Sequence, residues 1–379
     1  MRERLFCLRV ETVAHVTGIK LGRLHAIEDG ADPTVLELER LAETYGVDVE
    51  TLWEMPISLS PGDGVTVLTS VEEFRDVDDV TRVRILRAAT AARDLVTLRR
   101  RSGDPLPPLP TLPTPNPQDS PYRQGASLAV ALRMHLGLGV HPIASLRDLV
   151  AERLPGVAVI GCDLGARGPA GLGFADTHRG PAVVLNTRGK NENPAVRRFS
   201  LAHELCHLLS DWDRAEPLVS ISGYLTDQGL DRERRANGFA ARFLCPETVV
   251  HRLRHVRDED AARVLIDEYG MHYGAARLYL RNEANVHLPE QPPTALRPFI
   301  EPDAAMSQRE AMRGVEGFPL AEVPIERRGV VGETVVRAWS RGLIPRDAAA
   351  RLLGVTPVAE IERVADFFDT DIPEAAVAS

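Results

Sequence analysis

Between positions 105 and 121 the chain reads Pro-Leu-Pro-Pro-Leu-Pro-Thr-Leu-Pro-Thr-Pro-Asn-Pro-Gln-Asp-Ser-Pro. Each proline fixes its own φ and removes a backbone donor, so neither a helix nor a sheet ladder can pass through such a run. An extended, semi-rigid spacer is what this composition supports. A chain of 379 residues is also too long for one ordinary domain. With the proline run as its centre, the sequence reads as five segments. Residues 1–56 are expected to form short helices, 57–104 a helical connector and 105–121 a linker. Residues 122–290 are expected to form a larger domain, and 291–379 a C-terminal region of unassigned role.

Periodicity fills in these segments. In the first, Val13, Val16, Leu24, Ile27, Leu38, Leu41 and Leu52 recur at helical spacings broken by Gly18, Gly30 and Gly46. Val71 to Arg101 reads as helical, with Arg99, Arg100 and Arg101 placed to suit the negative end of the helix dipole. Beyond the linker, helices are expected over 125–136, 146–154, 197–211 and 231–244, with a further pair across 258–286. Val157-Ala-Val-Ile-Gly and Pro181-Ala-Val-Val-Leu-Asn186 read as short strands separated by a glycine-rich loop. After Pro289 the pattern loosens until an amphipathic stretch from Val335 to Phe368, where Ala348-Ala-Ala-Arg-Leu-Leu-Gly-Val looks like half of a helix-turn-helix. The expected class is mainly α with a small β-sheet (α+β).

Composition narrows the partners. A net charge of −9 opposes a whole-protein basic surface for nucleic acid. No apolar run is long enough to span a membrane, and the N-terminus lacks a signal-peptide core. Cys7, Cys162, Cys206 and Cys245 show no framework spacing, which fits a reducing cytoplasm. Lysine occurs only at Lys20 and Lys190, and this arginine bias suggests GC-rich bacterial coding.

Chemistry concentrates in His203-Glu-Leu-Cys-His207. On a helix the two histidines lie one turn apart on one face and can grip one cation, with Glu204 beside it as a base for water. A catalytic zinc site takes three protein ligands and an open position, so a third ligand is needed. In 231–246, Ala236, Phe239, Ala240, Phe243 and Leu244 draw an apolar stripe that Glu233 extends at its N-terminal end. A carboxylate aimed at a core is expensive unless paired or metal-bound. The alternative is a first-turn glutamate favoured by the helix dipole.

Arg198-Phe-Ser-Leu-Ala-His-Glu-Leu-Cys-His-Leu-Leu209 followed by Glu233-Arg-Arg-Ala-Asn-Gly-Phe-Ala-Ala-Arg-Phe-Leu-Cys-Pro246 resembles the ImmA/IrrE family of bacterial metallopeptidases. Leu136-Gly-Leu-Gly, Pro142-Ile, Gly171-Leu-Gly-Phe-Ala and Val183-Val-Leu-Asn186 extend the resemblance over about residues 122–285. It implies a gluzincin-like domain using Zn2+, with His203, His207 and Glu233 as ligands and Glu204 as general base. It also implies a substrate class, helix-turn-helix repressors, whose cleavage switches on stress or mobile-element genes. Cys206 and Cys245 stand where the family usually has glycine and methionine. Tyr224, His251, His272 and Tyr273 are the candidates for stabilising an oxyanion.

Arg9 to Gly30 resembles the Cro/C1-type (XRE) helix-turn-helix, with Ala14, Gly18, Ile19, Leu24, Ile27, Glu28 and Gly30 at the fold-building positions. Its second helix would present Lys20, Arg23 and His25 to a major groove. Residues 1–55 carry six basic side chains against eleven acidic ones, a balance that opposes phosphate contact. Val10 stands where the family commonly has a phosphate-contacting glutamine. DNA and protein are thus both open as its partner. Two functions are compatible with these features: a cytoplasmic zinc endopeptidase that cleaves a repressor, or a DNA-binding regulator whose peptidase-like domain senses without turnover.

Overall fold

A computed structural model describes residues 3, 6–47, 49–53, 68, 72–103, 107–176, 180–214, 216–223 and 230–372. Glycine and capping residues set the first helices. α1 (Val10–Thr17) stops at Gly18, which adopts φ +68°, and α2 (Leu21–Glu28) begins just after buried Ile19. α3 (Val35–Tyr45) starts on a capping box between Thr34 and Glu37, and α4 (Val49–Trp53) is a short turn. The expected helix over 71–101 is two helices, α5 (Glu72–Asp76) and α6 (Asp79–Arg101), because the Asp78 side chain accepts from Thr81 N–H and begins a new helix.

α6 is shared between the N-terminal helices and the central sheet. Asp79 Oδ2 accepts from Arg9 N–H at 2.8 Å and from Thr12 Oγ1 at 3.0 Å, so it caps α1 from outside. Phe6, Leu8, Val13 and Leu41 share a core with Ile85, Leu86 and Ala89. The proline run is extended, with neither helix nor strand over 107–117. It does not swing free: Leu109 is buried, its carbonyl accepts from Arg214 at 2.9 Å, and Pro107 O lies where a side chain on Gly156 would be.

α7 (Pro121–His135) and α8 (Leu146–Arg153) precede the sheet. Its strands are β1 (Ala158–Cys162), β2 (Gly171–Ala175), β3 (Ala182–Asn186) and β4 (Leu218–Ser222), in the order β1-β3-β2-β4. β1 and β3 are parallel, and β2 runs antiparallel to both of its neighbours. The glycine-rich loop expected between the first two strands thus contains a strand, and β4 is a further strand that periodicity did not reveal. Gly171-Leu-Gly-Phe-Ala alternates small and large, which is strand periodicity with glycine on one face.

Two cores result, one on each face of this sheet. Ile160, Leu172, Phe174, Val184, Val219 and Ile221 face α6 and the C-terminal helices. Ala175, Val183 and Leu185 face α8 and α9 (Pro194–Ser210), the helix that carries the His-Glu-x-x-His motif. α10 (Asp231–Leu244) lies on α9, followed by α11 (Glu247–Arg252), α12 (Asp258–Arg263) and α13 (Tyr273–Ala284). The loose stretch after Pro289 is pinned by Glu310, whose Oε1 accepts from buried Arg198 on α9 at 2.5 Å and from Leu146 N–H at 2.8 Å.

α14 (Val330–Ser340), α15 (Arg346–Leu353) and α16 (Ile361–Phe367) close the back of the sheet. α15, the left-handed Gly354, buried Val355 and α16 repeat the device of α1, Gly18, Ile19 and α2. Trp339 and Val336 join α6 and β1 in one core. The class is α+β, mainly helical. Buried side chains cross the 56/57 and 290/291 divisions drawn from sequence. Residues 1–56 alone should therefore give a helical circular dichroism spectrum without a cooperative thermal transition. A sharp melt for that fragment would show that its core closes without α6.

Candidate metal centre

The site begins with helical spacing. α9 sets His203 and His207 one turn apart, and their Nε2 atoms stand 3.2 Å from each other. The first turn of α10 brings Glu233 across, with Oε2 3.0 Å from His203 Nε2 and Oε1 3.5 Å from His207 Nε2. All three side chains are buried. α10 can reach this position because α7 and α10 touch through glycines. A methyl on Gly125 would lie 2.0 Å from Arg235 O, and one on Gly238 2.4 Å from Tyr122 O.

The far side of each imidazole is also engaged. His207 Nδ1 lies 2.6 Å from Asp211 Oδ2, and His203 Nδ1 3.2 Å from Asn237 Oδ1. Asp211 Oδ1 takes a bond from Ser210 Oγ at 2.8 Å and pairs with Arg235. With Nδ1–H donating outward, both Nε2 lone pairs face the Glu233 carboxylate. Three such donors at these distances repel one another unless a proton or a cation lies among them. Burial disfavours the charged form of His207, but the Asp211 hydrogen bond, Glu204 and Glu233 overcome it and raise its pKa. Burial likewise opposes ionised Glu233, but the hydrogen bond to His203 and the charges of His207, His203 and Arg232 hold its pKa low. A field that favours positive charge here also favours a divalent ion. Two imidazoles and one carboxylate, all within 4.8 Å, make a donor set that fits zinc.

Glu204 lies beside this set, fully buried, against the sheet. Its Oε2 accepts from Ser220 Oγ on β4 at 2.9 Å, and Oε1 has no partner among the described residues. β2 makes the room: a methyl on Gly171 would sit 3.0 Å from Glu204 Cγ and Oε1, and one on Gly173 would sit 2.6 Å from Ser220 Oγ. These two glycines therefore belong to the site. A cleft of about 390 Å³ opens over His203 and Glu204, lined also by Phe199, Asn237, Lys190 and His272.

Other groups named from sequence lie elsewhere. Cys206 and Cys245 are buried thiols whose pKa is pushed up by that burial, outside the convergent set. His251 sits with Glu247 and Glu283, but Arg242 and Arg123 already answer those carboxylates, so that cluster balances its own charge. Tyr224 lies outside the described residues. Lys20, at the N-cap of α2, and His25, on that helix, are exposed. Arg23, expected to face a groove, is instead tied down, with Nε 2.9 Å from Glu37 Oε1 and Nη2 2.8 Å from both Glu37 Oε2 and Asp32 O. That hydrogen bond from Arg23, with backbone N–H from Thr34, lowers the Glu37 pKa to about 2.

Sequence reasoning passed over Asp211, Asn237, Ser220 and the two glycines. Asp211 and Asn237 carried a readable signal, since each follows a candidate ligand by four residues on a helix. Residues 153–281 match the family model Peptidase_M78, described as an IrrE N-terminal-like domain. The matched stretch contains His203, Glu204, His207 and Glu233, and the match supports a metallopeptidase-type activity. No curated protein matches the chain.

Asp211→Asn should weaken zinc affinity by about 10–100-fold, as is usual when the outer partner of a ligating histidine is lost. Chelator competition on the full chain would measure it. An unchanged affinity would mean that Asp211 does not set the His207 tautomer.

Proposed function

We propose that this chain is a regulatory zinc-dependent endopeptidase that hydrolyses a peptide bond in a partner protein. The substrate class that the ImmA/IrrE resemblance implies is a helix-turn-helix repressor, whose loss would derepress stress or mobile-element genes. One observation carries the reading: His203, His207 and Glu233 converge, with buried Glu204 beside them, next to a cleft whose lining includes His203 and Glu204. A zinc ion held by those three side chains would act as a Lewis acid on the scissile carbonyl.

The remaining work falls to side chains. Ser220 fixes one oxygen of Glu204, leaving Oε1 to take the proton of an attacking water and return it to the departing amine. The separation of roles within one carboxylate keeps the base oriented while it works. β4 is an edge strand whose end, at Ser222 and Gly223, lines the cleft. An extended substrate can take backbone hydrogen bonds from such an edge. Phe199 and the half-buried His272, their rings edge-on, line the same cleft.

The second reading, a DNA-binding regulator whose peptidase-like domain senses without turnover, is less well supported. A sensor has no use for an oriented base, and Arg23 is spent on Glu37 and Asp32 rather than offered to a groove. We assign residues 1–56 to contact with a protein partner; Lys20 and His25 are exposed there, as are Arg9, His15 and Arg40. A cytoplasmic location fits four free cysteines, three of them buried. No helix among the described residues is long and apolar enough to cross a membrane.

The test is incubation of the zinc-loaded chain with helix-turn-helix repressors encoded near its gene, and then mass spectrometry of the products. Glu204→Gln should keep zinc and the melting profile while cleavage falls by about two orders of magnitude or more. His203→Ala and His207→Ala should each lose tight zinc binding. Full cleavage by the Glu204→Gln protein would falsify the assigned base, and full zinc in both histidine variants would remove the site.

A further inference from the structure

Attack on a peptide carbonyl builds negative charge on its oxygen, and a positioned donor at that point usually supplies one of the larger rate terms. The ligating histidines turn their Nδ1–H groups outward to Asp211 and Asn237, and Glu204, acting as the base, accepts during the attack. Of the four side chains that the sequence offered for this task, three drop out. Tyr273 Oη donates to Pro289 O at 2.6 Å. His251 lies outside the cleft, 3.2 Å from Glu247. Tyr224 falls outside the described residues.

His272 differs from these in every respect. It lines the same cleft as His203 and Glu204, with its ring edge-on to Phe199 at 5.3 Å and 80°. It is also the N-cap of α13, where its Nδ1 accepts from Ala275 N–H at 3.3 Å. A nitrogen that accepts a hydrogen bond carries no proton, so in the neutral ring the proton is on Nε2. Among the described residues no protein group is hydrogen-bonded to that Nε2.

We propose that His272 donates its Nε2–H to the oxyanion forming on the scissile carbonyl of a peptide held in the cleft, a role that rests on the peptidase reading above. The proton stays on His272 throughout, and the bond strengthens as charge develops on the carbonyl oxygen. Burial, with a smaller contribution from Lys190, lowers the His272 pKa to about 4, so the ring remains the neutral donor across the physiological range. A helix cap thereby sets the tautomer that chemistry needs. Without the Ala275 N–H, the two tautomers would compete and the donor would be present for part of the time.

Because His272 caps a helix, the decisive variant is one that keeps the cap. His272→Asp retains a short acceptor for Ala275 N–H and, as a carboxylate, removes the donor, while His272→Asn retains the acceptor and replaces the Nε2–H by a shorter-reaching amide donor. The zinc-loaded full chain would be titrated by calorimetry with a phosphonamidate dipeptide, which carries a tetrahedral oxyanion, and with the matching uncleaved peptide. Both variants should bind the phosphonamidate about 100-fold more weakly than wild type and hold the plain peptide and zinc as before. In the metal-free wild type, imidazole 15N shifts should report the Nε2–H tautomer at neutral pH. Equal phosphonamidate binding by wild type and variants, or an Nδ1–H tautomer, would overturn the role of His272 and leave the peptidase reading standing. If zinc-loaded wild type neither holds the phosphonamidate nor cuts any tested repressor, both readings fall together.

Discussion

Three carboxylates, Glu204, Asp211 and Glu233, are buried or nearly so around two turns of one helix. Removing such groups from water costs several kcal/mol each unless charge or hydrogen bonds answer them. The surroundings supply the answer unevenly. Asp211 has Arg235, Ser210 and His207, whereas Glu233 has two imidazoles and the flank of Arg232 at 3.4 Å. Glu204 has a single hydroxyl. Negative charge is in excess at the point where the imidazole lone pairs meet, and a divalent cation is the group that balances it. Everything around the site serves to bring these charges together, from the glycine contact between α7 and α10 to the small-residue face of β2.

The structure shows why a helix could carry the site so close to a sheet. On the strands beneath α9, the facing positions are Gly171, Gly173, Ser220 and Ser222, and the large residues Leu172, Phe174, Val219 and Ile221 point the other way. Bulk on the near face would displace Glu204. Bulk on the far face builds the second core with α6. One alternating pattern thus meets two demands, close approach on one side and apolar burial on the other.

Much of this was legible in the sequence where spacing alone governs geometry. Helical period aligned His203 with His207, and the apolar stripe of α10 pointed Glu233 inward. Asp231–Leu244 forms the helix expected there. Glycine hid the rest. β2 read as a loop because two of its five residues lack side chains, and their purpose depends on Glu204, distant in sequence. The pairing of Arg23 was hidden for a similar reason: its partner Glu37 belongs to the next helix, and charge counting does not show which carboxylate a guanidinium meets. Glu310 sits in a stretch without periodicity, yet its buried pair with Arg198 ties that stretch to the motif helix.

The back of the sheet has a consequence for how the chain is made. Ile160, Leu172, Phe174 and Val184 are covered by α6, synthesised before the strands, and by α14, synthesised well after the metal-site helices. During translation the sheet therefore presents an apolar face until residues 330–367 have left the ribosome. Contacts of such sequence separation form slowly, and exposed strands are prone to association meanwhile. Ordering of the metal-site helices and completion of their scaffold are separate events in time, with the second waiting on the last helices of the described chain.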